Sequence, residues 1–170
     1  MNIKQARKID FTGQLPGFQH FPRFNDEVTR FLRLGGSEKT VVVVDRAVGP
    51  KLAAPSLVVD HLNLTGCCPL VGPNDPCGPR FPVVNGIYVA ECESLETALP
   101  QLGKIVAAGL KDGVEPDADE VQLLKFLGAD AFCYNTVPTM IVAAHAGYKV
   151  LALLLPQAAK ATKELVEALS

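Results

Sequence analysis

The chain has 170 residues, 48% of them apolar and 20% charged, with a mean hydropathy of +0.21, which excludes an intrinsically disordered chain and predicts one globular domain over residues 1–170. A chain of this length buries roughly 70% of the surface its unfolded form exposes, so its core needs neither disulfides nor a metal. Sixteen Lys and Arg against 18 Asp and Glu leave a net charge of −2, which supplies no basic field for nucleic acid or an anionic membrane and points to small molecules or protein as partners.

The opening MNIKQARKID carries charge where an export signal needs an apolar stretch. Asn25 is placed to cap a helix with Val28, Phe31 and Leu32 on one face, stopped by Gly35 and Gly36. The β-branched runs Thr40–Val44 and Ser56–Val59 predict strands buried on both faces. Residues 66–86, dense in Pro and Gly, predict a long loop, of a length that usually carries function or an interface. Ile105–Ala108 predicts another strand. Asp117 and Glu120 then resemble a capping box ahead of Val121, Leu124 and Leu127, with Gly128 as the stop. A short strand is expected at Ala131–Cys133, then a helix from about Thr136, with Pro138 in its first turn, to Gly147. Val150–Leu155, the longest apolar run, predicts the strongest strand and is far short of the roughly twenty residues that span a bilayer. A last helix is expected from about Pro156 to Leu169, with Ala158, Ala161, Leu165 and Ala168 on one stripe. Helices alternating with apolar strands predict an α/β layer sandwich.

Two strand ends can carry chemistry. Tyr134 and Asn135 emerge at the carboxyl end of Ala131–Cys133, where open α/β sheets bind ligands, and the following helix offers free N–H groups to an anion or a base edge. The plainer reading makes Asn135 or Thr136 simply the helix cap. Asp45 and Arg46 end TVVVV and form either a wall of the same crevice or, the better reading, a solvated turn before Gly49 and Pro50. Five cysteines, Cys67, Cys68, Cys77, Cys92 and Cys133, are an odd number at irregular positions and predict free thiols in a reducing cytoplasm. Adjacent Cys67 and Cys68 cannot easily share one tetrahedral ion, and no second cysteine pair exists, so no metal site is expected. His20, His61 and His145 lie far apart with no recognisable nucleophile nearby, and His145 is expected to be a satisfied core or interface residue.

Two stretches together resemble one family. DHLNLTG, Asp60–Gly66, followed by CCPLVGPND and by GPRFP, Gly78–Pro82, is similar to a long segment of the trimeric purine nucleoside phosphorylases. LGADAFCYNTVPTMIVAAHAGYKV, Leu127–Val150, resembles a second segment of that family, in the same order, so the resemblance spans residues 38–155. It implies a phosphorylase-like mixed sheet flanked by helices, a purine nucleoside substrate with phosphate as co-substrate, no cofactor, and a homotrimer joined through loop 66–82.

The same resemblance implies a depleted phosphate site. The family's N-terminal strand with its Gly-Ser-Gly phosphate loop has no counterpart here, and its Arg-x-His pair falls where this chain has QLPGFQ, Gln14–Gln19. The phosphate-binding Ser corresponds to Asn135 and the neighbouring Met to Tyr134; the residue nearest the family's base-reading Glu is Glu115. The family's Asn-Ala-Ala-Gly-Gly becomes DRAVG, Asp45–Gly49, which puts Arg46 beside the phosphate position. The implied ligand-binding set is therefore Asp45, Arg46, Glu115, Tyr134 and Asn135, with no catalytic residue assigned. Three functions follow: a purine, nucleoside or anion binder with phosphorolysis weak or lost; an active phosphorylase in which Arg46 and Asn135 grip phosphate and Glu115 the base; or a structural or regulatory subunit.

Overall fold

The computed structural model describes residues 3–36, 38–49 and 51–170. After a short 3-10 turn at Ile3–Gln5 come β1 (Arg7–Asp10), β2 (Gln19–His20), α1 (Asp26–Arg33), β3 (Thr40–Ala47), β4 (Ser56–Asn63), α2 (Glu93–Ala98), β5 (Gly103–Gly109), α3 (Ala118–Phe126), β6 (Ala131–Cys133), α4 (Thr136–His145), β7 (Lys149–Pro156) and α5 (Lys163–Leu169). They build a mixed seven-stranded sheet in the order β2-β1-β3-β7-β4-β5-β6, flanked by helices as expected. Neighbours are parallel except β4 and β7, which meet antiparallel at Ser56–Leu154 and Leu57–Leu153.

Strand alternation explains why TVVVV is apolar throughout. Val41 and Val43 point to one face, where they pack with Ile9, Val150, Ala152 and the helices α1 and α4. Val42 and Val44 point to the other, with Leu151, Leu153, Leu95 of α2 and Leu165 and Leu169 of α5. Helix α4, mostly apolar, is buried at all ten positions. The caps form as the sequence predicts: Asn25 Oδ1 accepts from the N–H groups of Glu27 and Val28, Asp117 and Glu120 close a capping box, and Gly128 and Gly147 follow α3 and α4 at positive φ. Residues 66–86 form neither helix nor strand.

The last helix is shorter than expected. Pro156 extends β7, in register with Ala47, and α5 begins only at Lys163, capped by Thr162. Tertiary bonds claim the intervening backbone: Arg46 Nη1 donates to the carbonyls of Pro156 (3.3 Å), Gln157 (2.7 Å) and Ala159 (2.8 Å), and Gln14 Oε1 accepts from Ala161 N–H (2.8 Å). The short elements β1, β2 and α2 are additional to the predicted set.

The sheet curls until its edge strand returns to β3. Val48 and Phe132 exchange both backbone hydrogen bonds, at 3.1 and 2.8 Å, in an antiparallel bridge. Gly49 permits this contact, because a Cβ there would lie 2.5 Å from Asp130 O and Ala131 Cα.

Candidate functional site

The Val48–Phe132 bridge sets the register of the site. Stepping three residues back along β3 and three forward from β6 puts Asp45 opposite Asn135, at the start of α4. Asp45 is 3% exposed and accepts from Thr136 N–H (3.1 Å), Thr136 Oγ1 (2.9 Å), Asn135 N–H (3.3 Å), Asn135 Nδ2 (3.2 Å) and Arg46 N–H (2.8 Å). This corrects the expectation of a solvated turn: Asp45 lies inside strand β3 and its carboxylate caps α4 from across the sheet. Pro50, the end of that expected turn, lies outside the described residues. Burial pushes the Asp45 carboxyl up, against the pull of its bonds from Asn135, Arg46 and Thr136.

Asn135 stands at the cap position, yet its side chain caps nothing. Its Oδ1 accepts from Phe24 N–H (2.9 Å) and its Nδ2 donates to Asp45, so it clamps the segment before α1 to the carboxyl end of β3. Beside it opens a cavity of about 180 Å³ lined by Phe24, Leu110, Tyr134, Asn135 and Pro138, with Thr65, Cys67, Cys68 and Pro69 from the long loop on another side. Arg23, Lys111 and Asp112 complete the lining, and Arg23 and Asp112 form an exposed ion pair at 3.9 Å. Tyr134 donates to Val114 O (2.9 Å); burial, then the charges of Glu115 and Asp112, hold its phenol above the ordinary value. The thiol of Cys133, the residue before Tyr134, is fully buried and pushed up to about 12, first by burial and then by Asp45.

The five sequence-derived residues therefore divide. Tyr134 and Asn135 line the cavity, Asp45 holds Asn135 from β3, and Glu115 acts on Tyr134 by charge without lining the cavity. Alternation along β3 turns Arg46 away from Asp45 and onto the carbonyls of Pro156, Gln157 and Ala159. Phe24, Leu110 and Pro138 are lining residues that sequence reasoning missed; Phe24 and Asn135 are 111 residues apart and meet only through the fold.

Among the described residues, no group of three or more His, Cys, Asp or Glu could hold a metal ion. The three histidines are engaged: His20 with Asp10 O, His61 with Tyr88 Oη, and His145 with Asn74 and Cys77.

No family model matches the chain. It is 37% identical over 103 residues to purine nucleoside phosphorylase 1 of Bacillus subtilis, covering 57% of this chain and 38% of that protein. It is 38% identical over 138 residues to purine nucleoside phosphorylase of Mus musculus, covering 71% and 47%. A solved schistosoma purine nucleoside phosphorylase in complex with hypoxanthine superimposes with a TM-score of 0.63 at 26% identity, over 69% of this chain and 49% of that one. The chain thus spans about half the length of the relatives it matches. Sequence identity and the mixed, curled sheet agree: the chain belongs to the purine nucleoside phosphorylase family.

Proposed function

We propose that this chain binds a purine, a nucleoside or a related small anion in the Tyr134–Asn135 crevice, with phosphorolysis weak or lost. One observation carries the reading: the N-terminus of α4, where a helix would receive an anion, already holds the Asp45 carboxylate. A phosphate arriving there would have to displace that carboxylate or meet its charge, and Asn135, the counterpart of the family's phosphate-binding Ser, is committed to Phe24 and Asp45. Loss of preorganised donors costs about 3 kcal/mol of transition-state stabilisation each. Apolar walls of Phe24, Leu110 and Pro138 suit a flat heterocycle, and a cavity of about 180 Å³ is smaller than the roughly 300–1,000 Å³ of ordinary ligand clefts, which favours a free base over a whole nucleoside. The hypoxanthine bound to the schistosoma relative supports the same class of ligand.

The test pairs two assays on the purified chain. Saturable thermal stabilisation by hypoxanthine, with no phosphate-dependent release of base from purine nucleosides at micromolar protein, is the expected result. Multiple phosphate-dependent turnovers overturn the loss of phosphorolysis, and absence of stabilisation by any purine or by phosphate overturns the binding reading.

The proposed partner is further copies of the chain, in a trimer joined through loop 66–82. Val71 and Phe81, each 85% exposed, support it as apolar side chains left in water by one copy alone. Sedimentation equilibrium at working concentration distinguishes the assembly from a monomer. A cytoplasmic location is supported by the five free cysteines. No helix among the described residues is long and apolar enough to cross a membrane.

A further inference from the structure

Away from the crevice, the long loop lays a thiol against the end of α4. Cys77 Sγ lies 3.4 Å from His145 Nδ1, and His145 Nε2 lies 3.2 Å from Asn74 Oδ1. Asn74 Nδ2 donates to Gly78 O at 3.0 Å, which turns Oδ1 toward the ring. An oxygen facing Nε2 requires the ring proton there, so Nδ1 presents its lone pair to the thiol. The loop is pressed close: a Cβ on Gly78 would lie 1.7 Å from His145 O, so residue 78 must be glycine for the thiol to reach the ring. His145 is 2% exposed, whereas Cys77 is open to solvent.

We propose that Cys77 is a nucleophilic thiol, with His145 as its base and Asn74 as a positioning residue, and that it is a modification site for small-molecule disulfides. The arrangement has the logic of a base-activated cysteine, in which a third group holds the imidazole in the accepting tautomer. His145 Nδ1 takes the thiol proton as Cys77 Sγ attacks one sulfur of the disulfide. The S–S bond breaks with its electron pair on the other sulfur, which recovers the proton from His145 and leaves as a thiol. A mixed disulfide on Cys77 and one free thiol result, and the incoming disulfide is the only oxidant.

The surrounding charges fit a base-assisted step rather than a standing thiolate. Burial, then Asp75 on the same loop, hold the Cys77 thiol above its ordinary value, opposed by Arg33 of α1 and by Lys39. Burial, then Arg33, hold His145 below its ordinary value, opposed by Asp75. At neutral pH the thiol therefore keeps its proton and the imidazole is free to take it. Tyr148, after α4, is a further titratable neighbour of the thiol.

Cys67 and Cys68, exposed thiols of the same loop with no histidine contact, provide an internal reference that shares any cover a second copy would place over the loop. The native chain is pulsed with a limiting amount of dithiodipyridine, acid-quenched and mapped by mass spectrometry. Cys77 is expected to label about a hundredfold faster than Cys67 or Cys68, the low end of the gain from a positioned base. Its rate should fall on acidification as His145 takes a proton, and Asn74→Ala should slow it and change its pH profile in a folded protein. Labelling of Cys77 no faster than Cys67 and Cys68, or a pH profile matching theirs, overturns the proposal.

Discussion

Replacing Asp45 tests how the site is assembled. The carboxylate collects five donors, and Thr136 is fully buried, so Asp45→Ala strands the Thr136 N–H, the Thr136 hydroxyl and the Asn135 amide without acceptors. Each unsatisfied buried donor costs about 1–3 kcal/mol. Water entering the small vacated space recovers part of the sum, which leaves an expected loss of about 3 kcal/mol, in line with removal of one partner of a buried charged network. For a chain of this length that lowers Tm by about 6–12 °C. Asp45→Asn keeps one acceptor oxygen and is expected to cost about half as much.

The same pair reports on protonation. Because burial holds the carboxyl above its ordinary value, the folded state binds its proton more tightly than the unfolded chain does. Stability from this group is thus full below the unfolded pKa of about 3.9 and declines as pH rises through the elevated folded value. Urea midpoints from mildly acidic to neutral pH should show that decline in the wild type and a flatter profile in Asp45→Asn. An Asp45→Ala protein within about 0.5 kcal/mol of wild type, the range of an ordinary surface change, would refute the anchoring role.

Arg46→Ala removes the donor to the carbonyls of Pro156, Gln157 and Ala159 and should lower stability by about 1–3 kcal/mol in urea unfolding while leaving purine-induced stabilisation intact; loss of purine binding at unchanged stability would place Arg46 in the ligand site. Gly49→Ala drives a methyl into the backbone of β6 and should cost about 1–3 kcal/mol, checked by thermal unfolding. Asp117→Ala opens the capping box of α3 and should cost about 1 kcal/mol, and a loss below about 0.3 kcal/mol would mean that α3 is held by packing alone.

Local chemistry made much of the fold legible. A five-residue run such as TVVVV has no polar side to turn outward, so it has to lie between two apolar layers, and the caps at Asn25 and Asp117 use donors within three residues of themselves. Where the backbone's partners are distant, sequence was mute. Strand β1 carries Arg7 and Lys8 and is recognisable only from its neighbours: Arg7 lies over the Phe31 ring at 3.8 Å, and Asp10 is buried under bonds from Thr12, Gln14 and Leu15. The final helix starts late because Arg46 and Gln14, far away in sequence, hold the backbone that periodicity alone would have wound into it.

The site follows the same division. Strand-end position singled out Tyr134 and Asn135, because a parallel strand's carboxyl end opens onto a crevice whatever the rest of the chain does. Sequence alone determined which residues stand at that edge and which apolar runs lie beneath it. Tertiary structure decided that Asp45 reaches across to α4 while Arg46 turns away, and that His145 meets Cys77. The physical reason is the curl of the sheet: the face a side chain takes depends on a register set by a bridge between Val48 and Phe132, far apart in the chain, which no local pattern of residues encodes.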